Sequence, residues 1–160
     1  MKTRIFSAVA VSAIALLVTT SVGATTRHRH HASTHSRSMS MTGGMKLSAT
    51  LAGSSEVPAG DPDASGSFTA TLNTAHTQLC YDLHVSGLSA PTAAHIHAGA
   101  VGQNGGPVVM LAAPANGMSK ACVAVAADLG QKLMAMPADY YVNVHNAEFP
   151  NGGLRGQLGK

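Results

Sequence analysis

From Leu47 onward, apolar and polar residues alternate with a period of two, not the 3.6 of a helix. Leu47, Ala49 and Leu51 alternate with Lys46, Ser48 and Thr50, and Phe68, Ala70 and Leu72 alternate with Ser67, Thr69 and Thr71. Successive side chains of a strand point to opposite faces, so each run reads as a strand with one buried face. Leu79, Tyr81, Leu83 and Val85 form a third row against Cys80, Asp82 and His84. Further strands are expected over 93–98, 107–111, 121–126, 140–145 and 154–158. The stretches GSSEVPAGDPDASG and GAVGQNGGP carry the glycines, prolines and asparagines of turns. One helix is expected over 128–136, with Asp128 as its cap, Leu129, Leu133 and Met136 on one face and Pro137 as its stop. Eight short strands with frequent turns and one short helix predict an all-β antiparallel sandwich.

Upstream of this pattern the chain changes character. Lys2 and Arg4 precede an apolar run from Ile5 to Val18, which ends in Val22-Gly23-Ala24. The run is short for a membrane span and has the ending that a signal peptidase prefers, so residues 1–24 read as a secretory signal, with a retained membrane anchor as the alternative. A soluble, exported protein beginning near Thr25 is expected, periplasmic or extracellular. Residues 25–45 lack aliphatic periodicity and hold Arg27, Arg29 and Arg37, four histidines and three methionines, which reads as a flexible tail. Residues 46–160 form the folded domain.

Charge takes its meaning from this division. The whole chain has ten basic and seven acidic residues, a formal +3. Without Lys2 and Arg4 the basic count is eight, and from Lys46 onward it is five against the same seven acids. The folded part is therefore mildly acidic, and a duplex-binding surface would need the opposite sign. Aromatic residues make up only 4% of the chain and Trp is absent, which also argues against a base-stacking surface. Cys80 and Cys122 are an even pair in a chain read as exported, so a disulfide is expected, with free thiols or soft copper ligands as the alternatives.

Strand parity places candidate chemistry. If Ala94, Ile96 and Ala98 face the core, His95 and His97 project together from the other face. If Val142 and Val144 are buried, Asn143 and His145 point outward, and by the same rule so do Arg155 and Gln157.

The segments LAGSSEVP, LCYDLHVSGLSAPTAAHIHAGAVGQNGGPVVML and PADYYVNVHNAEFPNGGLRGQL resemble the CHRD domain, a module named after chordin, over residues 46–158. The resemblance implies an immunoglobulin-like, Greek-key β-sandwich similar to that of copper/zinc superoxide dismutase. In animals the module sits in an extracellular antagonist of bone morphogenetic proteins. Most bacterial members have no assigned activity, so the likeness speaks to fold more than to function.

Two readings of the histidines follow. In one, His95, His97 and His145 hold copper or zinc, with Arg155, Glu148 and Asn143 in the surrounding shell, because imidazole suits both metals. In the other, these groups are architectural and pin the GAVGQNGGP and FPNGG loops. The chain has no acidic, histidine-rich zinc loop and no counterpart of a bridging histidine, so dismutase activity is not expected. In the tail, His28, His30, His31 and His35 with Met39, Met41 and Met45 combine imidazoles for Cu(II) with thioethers for Cu(I), or serve as a spacer. His76 and His84 read as surface residues. No phosphate-binding glycine loop and no G-x-S-x-G elbow occurs. The expected role is a non-enzymatic envelope binding protein whose partner is a protein, a surface component or a metal ion, with copper binding or tolerance as the alternative.

Overall fold

The computed structural model describes residues 43–160, so the leader and the tail residues His28, His30, His31, His35, Met39 and Met41 lie outside the described residues. Eight strands are present among the described residues: β1 (Met45–Ala52), β2 (Ser65–Leu72), β3 (Gln78–Ser86), β4 (Ala93–Ala98), β5 (Pro107–Leu111), β6 (Met118–Ala124), β7 (Tyr140–His145) and β8 (Leu154–Gln157). One helix, α1 (Ala127–Ala135), separates β6 from β7. No helix among the described residues is long and apolar enough to cross a membrane.

All pairings are antiparallel, in the order β5-β4-β7-β8-β1-β2-β3-β6. Two four-stranded halves thus share one sheet, joined through β1 and β8 at Ala52 and Arg155 and again where Ser48 pairs with Gly159. The chain crosses between halves from β3 to β4, from β5 to β6 and from β6 to β7, as in a Greek-key sandwich. The Ala112 N–H donates to the Tyr81 hydroxyl at 2.7 Å, tying the end of β5 to β3 and drawing the sheet toward a barrel.

The period-two residues fill the interior. Leu47, Leu51, Phe68, Leu72, Leu79, Leu83, Ala94, Ile96, Val142, Val144 and Leu154 are all buried in one cluster. Leu133 of α1 joins them. Burying a side chain of this size stabilises by about 1.5–3 kcal/mol. With few aromatics available, the core is mainly aliphatic, and Phe68 stacks on Tyr81 at 5.8 Å.

Three local expectations are corrected. The helix cap is Ala126, which offers no side-chain acceptor, and Asp128 lies in the first turn. There its charge favours the helix dipole, and it approaches Lys132 at 4.0 Å. Met136 follows the helix and is exposed rather than completing the buried face. The sixth strand starts at Met118 and ends at Ala124, not over 121–126, because its extent follows pairing with β3 from His84↔Met118 to Gln78↔Ala124.

That pairing sets Cys80 directly opposite Cys122, and the two form a disulfide with Cα atoms 3.9 Å apart. It ties the edge strand β6 to β3. A loop of 42 residues is closed, which the loop-entropy model values at around 3–4 kcal/mol. Replacing both cysteines with Ser is expected to lower the thermal midpoint by roughly 10 °C. Mass analysis of alkylated, non-reduced protein checks the pairing itself: no thiol is expected to label, and two labelled thiols would refute it.

Candidate metal centre

The pairing of β4 with β7 places Ala93 opposite His145, His95 opposite Asn143, and His97 opposite Tyr141. Next to β7, β8 sets Arg155 beside Asn143 and Gln157 beside Tyr141. Because Ala94, Ile96, Val142 and Val144 are buried inward, all these polar residues occupy the opposite face. That face is covered rather than open. Arg155 is 1% exposed and Asn143 2%, under three loops of residues 53–64, 99–106 and 146–153.

Arg155 holds the cover down. Its guanidinium donates to the carbonyls of Ala100 and Gln103, both at 2.9 Å, and to Asn104 Oδ1 at 3.2 Å. It also sits 3.5 Å from the centroid of the Tyr141 ring, a cation–π contact. The Asn104 amide passes the link on, donating to the Val57 carbonyl at 2.6 Å. Gln157 donates to the carbonyls of Gly99, Ala138 and Tyr140. Asn143 donates to the buried Glu56 carboxyl. Gly152 closes over this pair with φ +140°, and a Cβ there would fall 2.5 Å from Asn143 Nδ2.

His95, His97 and His145 come together, with one ligand nitrogen from each within 4.8 Å of the others. A carbonyl oxygen can only accept a hydrogen bond, so the neighbours of these rings assign their protons. His97 Nδ1 lies 2.8 Å from the Gly105 carbonyl and His145 Nδ1 lies 3.0 Å from the Pro150 carbonyl. Both Nδ1 atoms therefore carry hydrogen, and both Nε2 atoms keep a lone pair. His145 Nε2 meets His95 Nδ1 at 3.1 Å. Among the described residues, His97 Nε2 and Asn143 Oδ1 on this face are buried without a partner, each a cost of about 1–3 kcal/mol for an unsatisfied polar group. His97 also stacks on Tyr141 at 4.9 Å, which fixes its ring plane.

This donor set fits a metal ion. Ligating histidines characteristically give their other ring N–H to a carbonyl or carboxylate, as His97 and His145 do here. Two nitrogens bound at 2.0–2.1 Å to a tetrahedral ion stand roughly 3.3 Å apart, close to the 3.1 Å between His95 Nδ1 and His145 Nε2. Burial above all, with the neighbouring imidazoles, holds His95 below the usual histidine range. His145 is likewise lowered, mainly by burial, against the opposing effect of its bond to Pro150. Neutral imidazoles are the form that binds metal.

The structure thus brings His95, His97, His145, Asn143 and Arg155 into one region. Glu148 is exposed on the 146–153 loop, and the carboxyl that reaches Asn143 is Glu56. The sequence reading passed over Glu56, which sits among turn residues with no periodic signal, and Tyr141, whose chemistry depends on its neighbours. His76, in a turn at φ +57°, and His84, paired loosely with Asp82 at 4.0 Å, lie away from the cluster. On the other half of the sheet, a concavity of about 610 Å³ is lined by Lys46, Thr69, Thr71, Asp82, Lys120 and the disulfide, among others.

A family model, the CHRD domain, matches residues 47–158. No curated protein matches the chain.

Glu56 makes the covered face sensitive to pH. Burial pushes its carboxyl from 4.5 up to about 7, against the opposing effects of the Val57 backbone, Arg155 and Asn143. A carboxyl raised in the fold contributes stability that is complete below its unfolded value and is lost as pH rises through its folded value. His95 and His145, lowered from 6.5, act in the reverse sense: their contribution is complete above 6.5 and is lost on acidification. Substituting Glu56→Gln isolates the first effect. In metal-free buffer, the unfolding free energy of the parent minus that of the variant should fall by on the order of 2–3 kcal/mol between pH 4.5 and 8. A difference independent of pH would contradict the assignment.

Proposed function

The chain belongs to the CHRD family through residues 47–158, and on that premise we propose that it is an exported domain of the cell envelope that binds copper or zinc through His95, His97 and His145. The observation that carries this reading is the convergence of three imidazoles, two of them locked by carbonyls at Nδ1 so that Nε2 is unprotonated, with His145 Nε2 against His95 and His97 Nε2 buried without a partner among the described residues. Asn143, Glu56 and Arg155 hold the strands and loops on which the ligands stand. The role is binding rather than catalysis. Export rests on the apolar leader with its small-residue ending, and the His- and Met-rich tail adds ligands of the same kinds. A second reading, capture of a protein or surface component, draws on the concavity over the other half-sheet, where Lys46, Lys120 and Lys160 supply positive charge.

Titration of the mature protein with Zn(II), Cu(II) and Cu(I) tests the metal reading. A His95→Ala/His97→Ala variant and one with the tail histidines replaced by Gln serve as comparisons. Binding tighter than about 10 µM is expected to survive the tail changes and to be lost with His95 and His97. Loss with the tail alone would move the site out of the domain. No binding by any form would overturn the proposal.

A further inference from the structure

The outer face of the histidine half carries one more potential ligand. On β5, Val109 and Leu111 are buried, paired with Ile96 and Ala94, and Met110 stands directly opposite His95. Met110 is therefore on the same face as His95, and directly opposed residues of antiparallel strands have Cβ atoms about 4.5–5.5 Å apart. Its side chain is 65% exposed, so core packing does not account for it. Nor does protection of the edge: β5 ends the sheet, and edge strands are ordinarily guarded by charge or proline rather than by a long apolar side chain.

Register across four strands aligns Met110, His95, Asn143 and Arg155. The Arg155 end of this row is buried under loops and the Met110 end faces solvent. We propose that Met110 is a thioether ligand of the three-histidine site and biases it toward Cu(I). This rests on the metal reading of His95, His97 and His145. Imidazole serves Zn(II) and copper alike, whereas a thioether is a soft donor that favours Cu(I). The unbranched side chain, with three rotatable bonds, can turn its sulfur toward the imidazole beside it.

The test uses the full chain, with His28, His30, His31 and His35 changed to Gln and Met39, Met41 and Met45 changed to Leu, so that the tail adds no such ligands. Cu(I) is supplied as its acetonitrile complex without thiol, which leaves the disulfide intact, and affinity is read by competition with a chromophoric Cu(I) chelator. Met110→Leu is expected to weaken Cu(I) binding about 10-fold or more while Zn(II) binding stays within about twofold. X-ray absorption should show a copper–sulfur contribution in the parent and none in the variant. Met110 is exposed, so the variant should keep the parent melting curve. Cu(I) affinity unchanged in Met110→Leu but lost in His95→Ala/His97→Ala would overturn the thioether ligand and leave the histidine site standing. Absence of metal binding in the parent would overturn both.

Discussion

A guanidinium with almost none of its surface in water must be satisfied by its surroundings, and Arg155 constrains the arrangement of one whole face of this domain. No ion pair among the described residues fixes it. Its partners are two backbone carbonyls, the Asn104 amide oxygen and the Tyr141 ring, so the positive charge is spread over dipoles that only a closed 99–106 loop can present. A buried charge left without partners costs several kcal/mol. Folding of β8 and closure of the loop are therefore linked. The link reaches further, because Asn104 also holds Val57 in the 53–64 loop, and Arg155 stands opposite Ala52, where the two half-sheets join. One residue thus bears on the sheet junction and on the roof over the histidines.

The two roles considered for the histidines are not rivals. Pinning a loop and holding a metal are usually weighed against each other, since a nitrogen engaged in one is withheld from the other. An imidazole has two nitrogens, however, and His97 and His145 use Nδ1 for the carbonyls of Gly105 and Pro150. Those bonds fix the tautomer and the ring orientation, which are what a ligating histidine needs from its surroundings. The architectural contacts are thereby the support of the site.

Much of this was legible in the chain. Period-two alternation located the strands because each has one face against an aliphatic core, and parity put His95, His97, Asn143, His145 and Arg155 on the other side of their strands. Parity says nothing of strand order. His145 meets His95 across fifty residues only because β7, besides pairing with its sequence neighbour β8, also pairs with the distant β4. "Outward" was also not the same as solvent: Arg155 points away from the core and is still buried, since segments rich in glycine and proline, whose composition marks them only as turns, fold back over it. Glu56 belongs to such a segment. Its place beside Asn143 depends on a long-range closure that no local pattern encodes. Cys80 and Cys122 illustrate the opposite case, where an even count in a chain read as exported pointed to the bond that strand register then makes direct.

The two halves of the sheet use their outer faces differently, and the difference has a physical origin. Over β3 and β6 the outer face carries Asp82, Lys120 and the disulfide and remains open to water, where a close pair such as Lys120 and Asp82 at 2.6 Å contributes little. Over β4, β7 and β8 the same kind of face is roofed, so each polar group there must find a protein partner or pay for desolvation. Most do, through carbonyls that the roof loops present. The exceptions are Asn143 Oδ1 and His97 Nε2, which no protein group among the described residues meets, while the Glu56 carboxyl, held by Asn143, responds to burial with a raised affinity for its proton. A bare, buried ring nitrogen facing two further imidazoles, on rings that neighbouring carbonyls already orient, has the physical form of a ligand site.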